Sequence, residues 1–391
     1  MDVKEKSLKL HEQLNGKLEV ISKKEVKTNE DLSLLYTPGV AQPCVKIHEN
    51  EDDVYKYTVK KNLVGVVSDG TAVLGLGDIG AKAAIPVMEG KAILFKEFGG
   101  VDAFPICVDS KDVDEIVKTV KLISPVFGGI NLEDISAPRC VEIENRLKEE
   151  LDIPVFHDDQ HGTAIVVGAG ITNALKIVKK DIDKIKIVVN GDGSAGYAIT
   201  KMLINLGAKN VVVCGINGAL KEGRDDNYVQ RELLKITNPN KEEGLLKDVI
   251  KNADVFIGVS KGNLVDEEMV RSMSEDAIIF AMANPVPEIM PDVAKKGGAR
   301  VVGTGRSDFE NQVNNVLAFP GIFKGALGAY ATKITEGMKV EATYAIANFI
   351  KEDELNEHNI LPSALDKNVA DAVAKAVYDQ AIKEGVVKNI K

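Results

Sequence analysis

Residues 184–206 constrain the fold more than any other stretch. Residues 184–190 (KIKIVVN) are an apolar, β-branched run that predicts a buried strand. GDGSAG follows at once at residues 191–196, and a helical pattern runs from about residue 195 to 206. A second apolar run, residues 211–214 (VVVC), predicts the next strand. Strand, GxGxxG and helix in that order form the dinucleotide fingerprint of a doubly wound parallel sheet. Gly191 permits the tight turn, Gly193 lets the backbone approach a pyrophosphate, and Gly196 allows close helix–strand packing. Ser194 and Ala195 open a helix whose free N–H groups suit that anion. Residues 254–259, 277–282 and 300–302 predict further parallel strands, and Asn284 lies just past the second of them, on the rim where ligands bind. A chain specific for NAD usually carries an acid at the end of the second strand; here Gly215 stands there, with Lys221 and Arg224 downstream for a 2′-phosphate. NAD and NADP therefore both remain open.

Two upstream runs each end in paired carboxylates. Residues 126–132 (VFGGINL) lead into Glu133 and Asp134, and residues 154–156 lead into Asp158 and Asp159. Strand ends in open α/β sheets converge on one rim, and four carboxylates gathered there repel one another unless a cation sits among them. Oxygen donors without a nearby cysteine point to Mg²⁺ or Mn²⁺. The same residue types also serve as helix caps and turns.

The remaining elements follow from pattern. Residues 3–20 predict a polar, amphipathic helix, and Tyr36 precedes the Pro38-Gly39 break. Residues 62–67 predict a strand, followed by a glycine-dense turn. Gly75, Gly77 and Gly80 match GxGxxG by letter only and suggest close backbone packing around a helix start. A helix at 79–88 leads to Lys91 at the edge of a strand at 92–95. Lys91 reads either as an ordinary strand-edge lysine or as one held near a metal that depresses its pKa toward a useful base. A strand at 101–108 and a helix capped by Asp112 follow, and helices near 337–350 and 366–383 close the chain.

With 391 residues the chain is too long for one core. The expectation is an α/β fold in two parts: an N-terminal α/β substrate and metal domain at residues 1–160, and a C-terminal Rossmann-type doubly wound parallel sheet at 161–391. A net charge of −10 without a basic stripe argues against nucleic acid as a partner, and the absence of a long apolar run argues against a membrane. The start, MDVKEKSLKL, has no leader-like apolar core. Four cysteines without CxxC spacing suggest reduced thiols in the cytoplasm.

Taken together, YTPGV at 36–40, LGLGDIG at 74–80, EGK at 89–91, LED at 132–134, HDDQHGT at 157–163, GDGSAG at 191–196, ANP at 283–285 and NQVNN at 311–315 resemble the short prokaryotic-type malic enzymes. The resemblance implies oxidative decarboxylation of L-malate to pyruvate and CO₂ with NAD or NADP and Mg²⁺ or Mn²⁺, in a homodimer. It places metal ligands on Glu133, Asp134 and Asp159, the catalytic lysine on Lys91, its carboxylate partner on Asp158, and the catalytic tyrosine on Tyr36. Substrate amides fall on Asn284 and Asn315. Two positions depart from the pattern: Ala72 stands where larger members have an arginine for the substrate carboxylate, and Gly215 replaces the usual acid. The competing readings are a metal-dependent 2-hydroxy-acid dehydrogenase without decarboxylation and a non-catalytic nucleotide-sensing module; the latter has no use for Lys91 together with the carboxylates.

Overall fold

A computed structural model describes residues 2–73, 75–224 and 227–390, so Leu74 of the 74–80 turn lies outside it. The first sheet is parallel, with strands β1 (Leu63–Ser68), β2 (Asp102–Cys107), β3 (Gly129–Leu132) and β4 (Val155–His157) in the order β2-β1-β3-β4. Register explains why the acidic pairs meet. Leu132 pairs directly with His157, so Glu133 and Asp158 emerge side by side one residue beyond the paired ends.

The predicted strand at 92–95 is absent. A helix runs without a break over Ala81–Leu94 and continues into a wide turn, Phe95–Gly99. Gly90 and the apolar run behind it suggest a break, but burial outweighs that local preference. Ala84, Met88, Lys91 and Phe95 recur at helical spacing and are all buried, so Lys91 lies on the inward face of a helix. The first helix also departs from expectation, covering Val3–Leu14. It ends where Asn15 adopts φ 52° and Gly16 φ 101°, the left-handed stop that this pair favours. The glycines of the 74–80 turn are needed for conformation and not for packing. Gly75, Gly77 and Gly80 have φ of 74°, 76° and 78° with open space where a Cβ would be.

The second sheet contains β5 (Lys186–Asn190), β6 (Asn210–Gly215), β7 (Gly218–Ala219), β8 (Val255–Gly258), β9 (Ala277–Ala281) and β10 (Ala299–Thr304). Their order is β10-β9-β8-β5-β6-β7, with only the two-residue β7 antiparallel to its neighbour. Strand order reverses at β5, which pairs with β6 on one side and β8 on the other. Such a reversal opens a crevice at the carboxyl ends of the strands.

The helix Asp158–Val178 joins the sheets. Its 21 residues are long and apolar enough to match a membrane span, but 72% of its most apolar 18-residue window is buried inside the protein. Its Asn173 amide donates to the carbonyls of Ala347 and Ile360, tying it to the C-terminal helices. Those helices (Phe319–Gly328, Glu336–Ala347 and Asn368–Glu384) return to the first sheet. There the Phe319 and Phe323 rings pack edge-on against Phe95 at 4.7 and 5.3 Å.

Candidate active site

Asp158 and Asp159 are the first two residues of the long helix, and the residue before them, His157, makes no side-chain cap. The acidic pair is therefore not spent on capping. The helix dipole favours negative charge at that position. Carboxylate oxygens of Glu133, Asp134 and Asp159 lie within 4.8 Å of one another. The Asp134 N–H donates to Asp159 Oδ2 at 2.8 Å, and Asp134 itself turns through φ 53° to face the cluster. Asp134 Oδ2 is buried without a hydrogen-bond partner among the described residues.

Burial, together with mutual repulsion, raises the whole group. Burial first, then the Asp159 and Glu133 charges, push Asp134 up to about 8. Burial pushes Asp158 to about 7 and Asp159 to about 6 against the pull of Lys91, and raises Glu133 as well. Hard oxygen donors, an unpartnered oxygen and carboxyls that resist ionisation together fit a divalent cation.

Lys91 enters this cluster from the helix Ala81–Leu94. Its Nζ lies 2.9 Å from Glu133 Oε1, also bonds Asp158, and sits 4.0 Å from the centre of the Phe319 ring. Burial alone would lower its pKa, but Asp158 and Glu133 override that and hold the ammonium above the ordinary lysine range. Asn315 donates to the same Asp158 carboxylate. Gly162, one turn along the helix, leaves the space Asp158 needs, since a Cβ there would collide with its carboxylate. A cavity of about 630 Å³ opens beside Lys91 and Glu133, with His11 and Lys17 also on its wall.

Not every expected residue joins this group. Tyr36 ends the helix Asn29–Leu35, is 67% exposed, and belongs to an arm whose three helices bury no residue. Asn284 sits at the end of β9, its amide beside the Met282 carbonyl and Gly305. Three contributors escaped the sequence reading. Asn131 donates to Glu133 at 2.9 Å and is fully buried; an amide inside the apolar run of residues 126–132 was the available clue. Phe319 left no local signal, because its partner Lys91 is distant in sequence. Glu288 is buried and accepts from the N–H groups of Ser260 and Ala283, bracing the loops after β8 and β9.

In the second sheet each glycine of the 191–196 loop has a distinct environment. Gly191 has φ 135°, and a Cβ there would lie 2.8 Å from the Val259 carbonyl. A Cβ on Gly196 would collide with the Gly191 carbonyl. Gly193 faces open space, with nothing within 4 Å of where its Cβ would be. Close packing at two glycines and an open face at the third form a cradle that fits a dinucleotide pyrophosphate.

Comparison with known proteins agrees over the whole chain. Residues 15–148 match the malic enzyme N-terminal domain and residues 160–382 the malic enzyme NAD-binding domain. The chain is 59% identical to the bifunctional malic/malolactic enzyme of Bacillus subtilis, over 99% of this chain and 95% of that protein. It is 55% identical to the NAD-dependent malic enzyme of Geobacillus stearothermophilus, covering 99% and 81% of the two chains. The crystal structure of the NAD-dependent malic enzyme of Thermotoga maritima superposes with a TM-score of 0.92 at 49% identity, covering 97% of this chain and 99% of that one. With both domains matched in order and a shared fold at this identity, the chain belongs to the malic enzyme family.

Proposed function

We propose that L-malate is oxidised and decarboxylated to pyruvate and CO₂ at the Lys91–carboxylate cluster, its hydride passing to NAD or NADP held over residues 191–196. The observation that carries this reading is one buried ammonium set among four carboxylates, three of them at metal-ligand spacing. Glu133, Asp134 and Asp159 are the residues to hold Mg²⁺ or Mn²⁺. Such an ion, when bound, would polarise the C2 oxygen and stabilise negative charge as CO₂ departs. Once Glu133 is neutralised and holds the ammonium less tightly, Lys91 would give up a proton to solvent and, as the neutral amine, accept the C2 hydroxyl proton. Asp158, itself fixed by Asn315, orients the lysine, and Phe319 closes the apolar side. After C3–C4 cleavage Tyr36 would return a proton to C3. Ser194 and Ala195 supply N–H groups at the helix start, while Asn284 and Asn315 offer amides to cofactor and substrate.

Tyr36 needs an assembly to reach buried chemistry. The arm that carries it exposes Leu8, Leu14, Leu34 and Leu35, the kind of surface two copies cover together. The reading is therefore a homodimer in which the arm packs and Tyr36 enters the site. Four free thiols support a cytoplasmic setting.

The test is nicotinamide reduction with L-malate, run with each cofactor, with Mn²⁺ and with chelator, and with pyruvate measured. Metal-dependent reduction yielding equal pyruvate is expected; reduction without pyruvate would leave a plain dehydrogenase. Lys91→Ala should lose about 10²–10⁴-fold in turnover while keeping cofactor affinity. Near-normal turnover in that variant would remove Lys91 as the base.

A further inference from the structure

Gly215 leaves the end of β6 without the acid that normally reads the adenine ribose, yet a carboxylate is there. It comes from the fingerprint loop. A Cβ built on Gly215 would lie 2.6 Å from Asp192 Oδ2 and 3.0 Å from its Cγ, so the Asp192 carboxylate fills the space that a residue 215 side chain would take. Asp192 stands between the first two glycines of GDGSAG, beside the open face of Gly193.

The carboxylate is held in place from outside the loop. Gln230 Nε2 donates to Asp192 Oδ2 at 2.6 Å. Gln230 lies in the first turn of the helix Tyr228–Ile236 and is the second half of its capping box. Its Oε1 accepts from the Asn227 N–H at 3.1 Å, which turns its NH₂ toward Asp192. One helix cap thus orients an amide that orients the acid. The cations expected to attract a 2′-phosphate are engaged elsewhere. Lys221 pairs with Glu243 at 2.9 Å, and Arg224 donates to the Ala219 carbonyl at 2.6 Å. Residues 221–226 (KEGRDD) also carry three acids against two bases.

We propose that Asp192, positioned by Gln230, takes the place of the missing acid at residue 215, accepting from the adenine ribose hydroxyls and excluding a 2′-phosphate, so that this chain selects NAD over NADP. The proposal rests on the cofactor lying over residues 191–196. A carboxylate only accepts hydrogen bonds, so it rewards a hydroxyl and repels a phosphate dianion.

Isothermal titration of the full-length wild type, Asp192→Asn, Asp192→Ser and Gln230→Ala with NADH and with NADPH tests it, with a thermal melt for each protein. The wild type should favour NADH by at least about tenfold. Both Asp192 variants should lose most of that ratio, chiefly because NADPH binds more tightly, and Gln230→Ala should shift it less in the same direction. A wild type that binds the two equally, or folded Asp192 variants that keep the wild-type ratio, overturns the proposal. A folded wild type that binds neither also overturns it, by removing the cofactor site beneath it, and that failure is visible before any variant is compared.

Discussion

The absent side chain of Gly162 is as much a part of the site as the lysine it serves. A methyl group there would meet the Asp158 carboxylate and the Asn315 Cβ together. Gly162→Ala should therefore move the lysine's partner and lower kcat by about 10²-fold, since small displacements of positioning groups cost that much. Circular dichroism should show the fold retained, and unchanged kcat would mean that Asp158 has another place to go. The neighbouring acids make a separate prediction. Asp134, Asp158 and Asp159 rise from 3.8 to about 8, 7 and 6 on folding. Between about pH 4 and 8 these three carboxyls then hold more protons in the folded metal-free protein than in the unfolded chain. Their contribution to stability is fully present below that window and is lost as pH rises through it. Mn²⁺ should accordingly raise the melting temperature more at pH 8 than at pH 5.5, where protons compete for the ligands. An equal gain at both pH values, read by scanning fluorimetry against a chelator control, would contradict this.

Among elements, the legible ones were those whose signal is local. β5, the GDGSAG turn and the helix Ser194–Asn205 declare themselves in consecutive residues, and the acidic pairs after β3 and β4 stand directly behind their apolar runs. The end of the helix bearing Lys91 is hidden because Gly90 and the apolar run at 92–95 weigh against a helix locally, while the packing that overrides them is tertiary. β7 is two residues long and has no pattern to read. Contacts between distant elements left no trace either. The Glu144 carboxylate, on the helix Arg139–Glu150, pairs with Lys148, accepts from the His157 N–H at 3.1 Å and meets His161 Nε2 at 2.9 Å. Lys339 of the helix Glu336–Ala347 reaches His161 Nδ1 at 3.2 Å. Burial pushes His161 down to about 4, so the ring is neutral, accepting from Lys339 and donating to Glu144. Three helices thus meet at one imidazole. Glu144→Gln should cost about 3 kcal/mol by leaving buried donors poorly matched. Chemical denaturation would show it, and a loss below about 0.5 kcal/mol, the scale of an exposed pair, would mean the network carries little.

At the level of the whole molecule the proposed reaction centre belongs to neither half alone. Lys91, Glu133, Asp134, Asp158 and Asp159 come with the first sheet and the joining helix, whereas Asn315 and Phe319 return from beyond the second. In the proposed dimer the same dependence would extend to a second copy. Specific activity should fall on dilution as dimers separate, in step with the mass seen by analytical ultracentrifugation. Full activity in a species with the mass of one chain would remove the arm from the mechanism. The return of Asn315 also has a consequence for synthesis. Asp158 leaves the ribosome 157 residues ahead of the amide that fixes it. At cellular elongation rates that interval is roughly ten to thirty seconds. A partly translated chain thus displays its acidic pairs before it can steady them, and hydride chemistry waits until almost the whole polypeptide has been made.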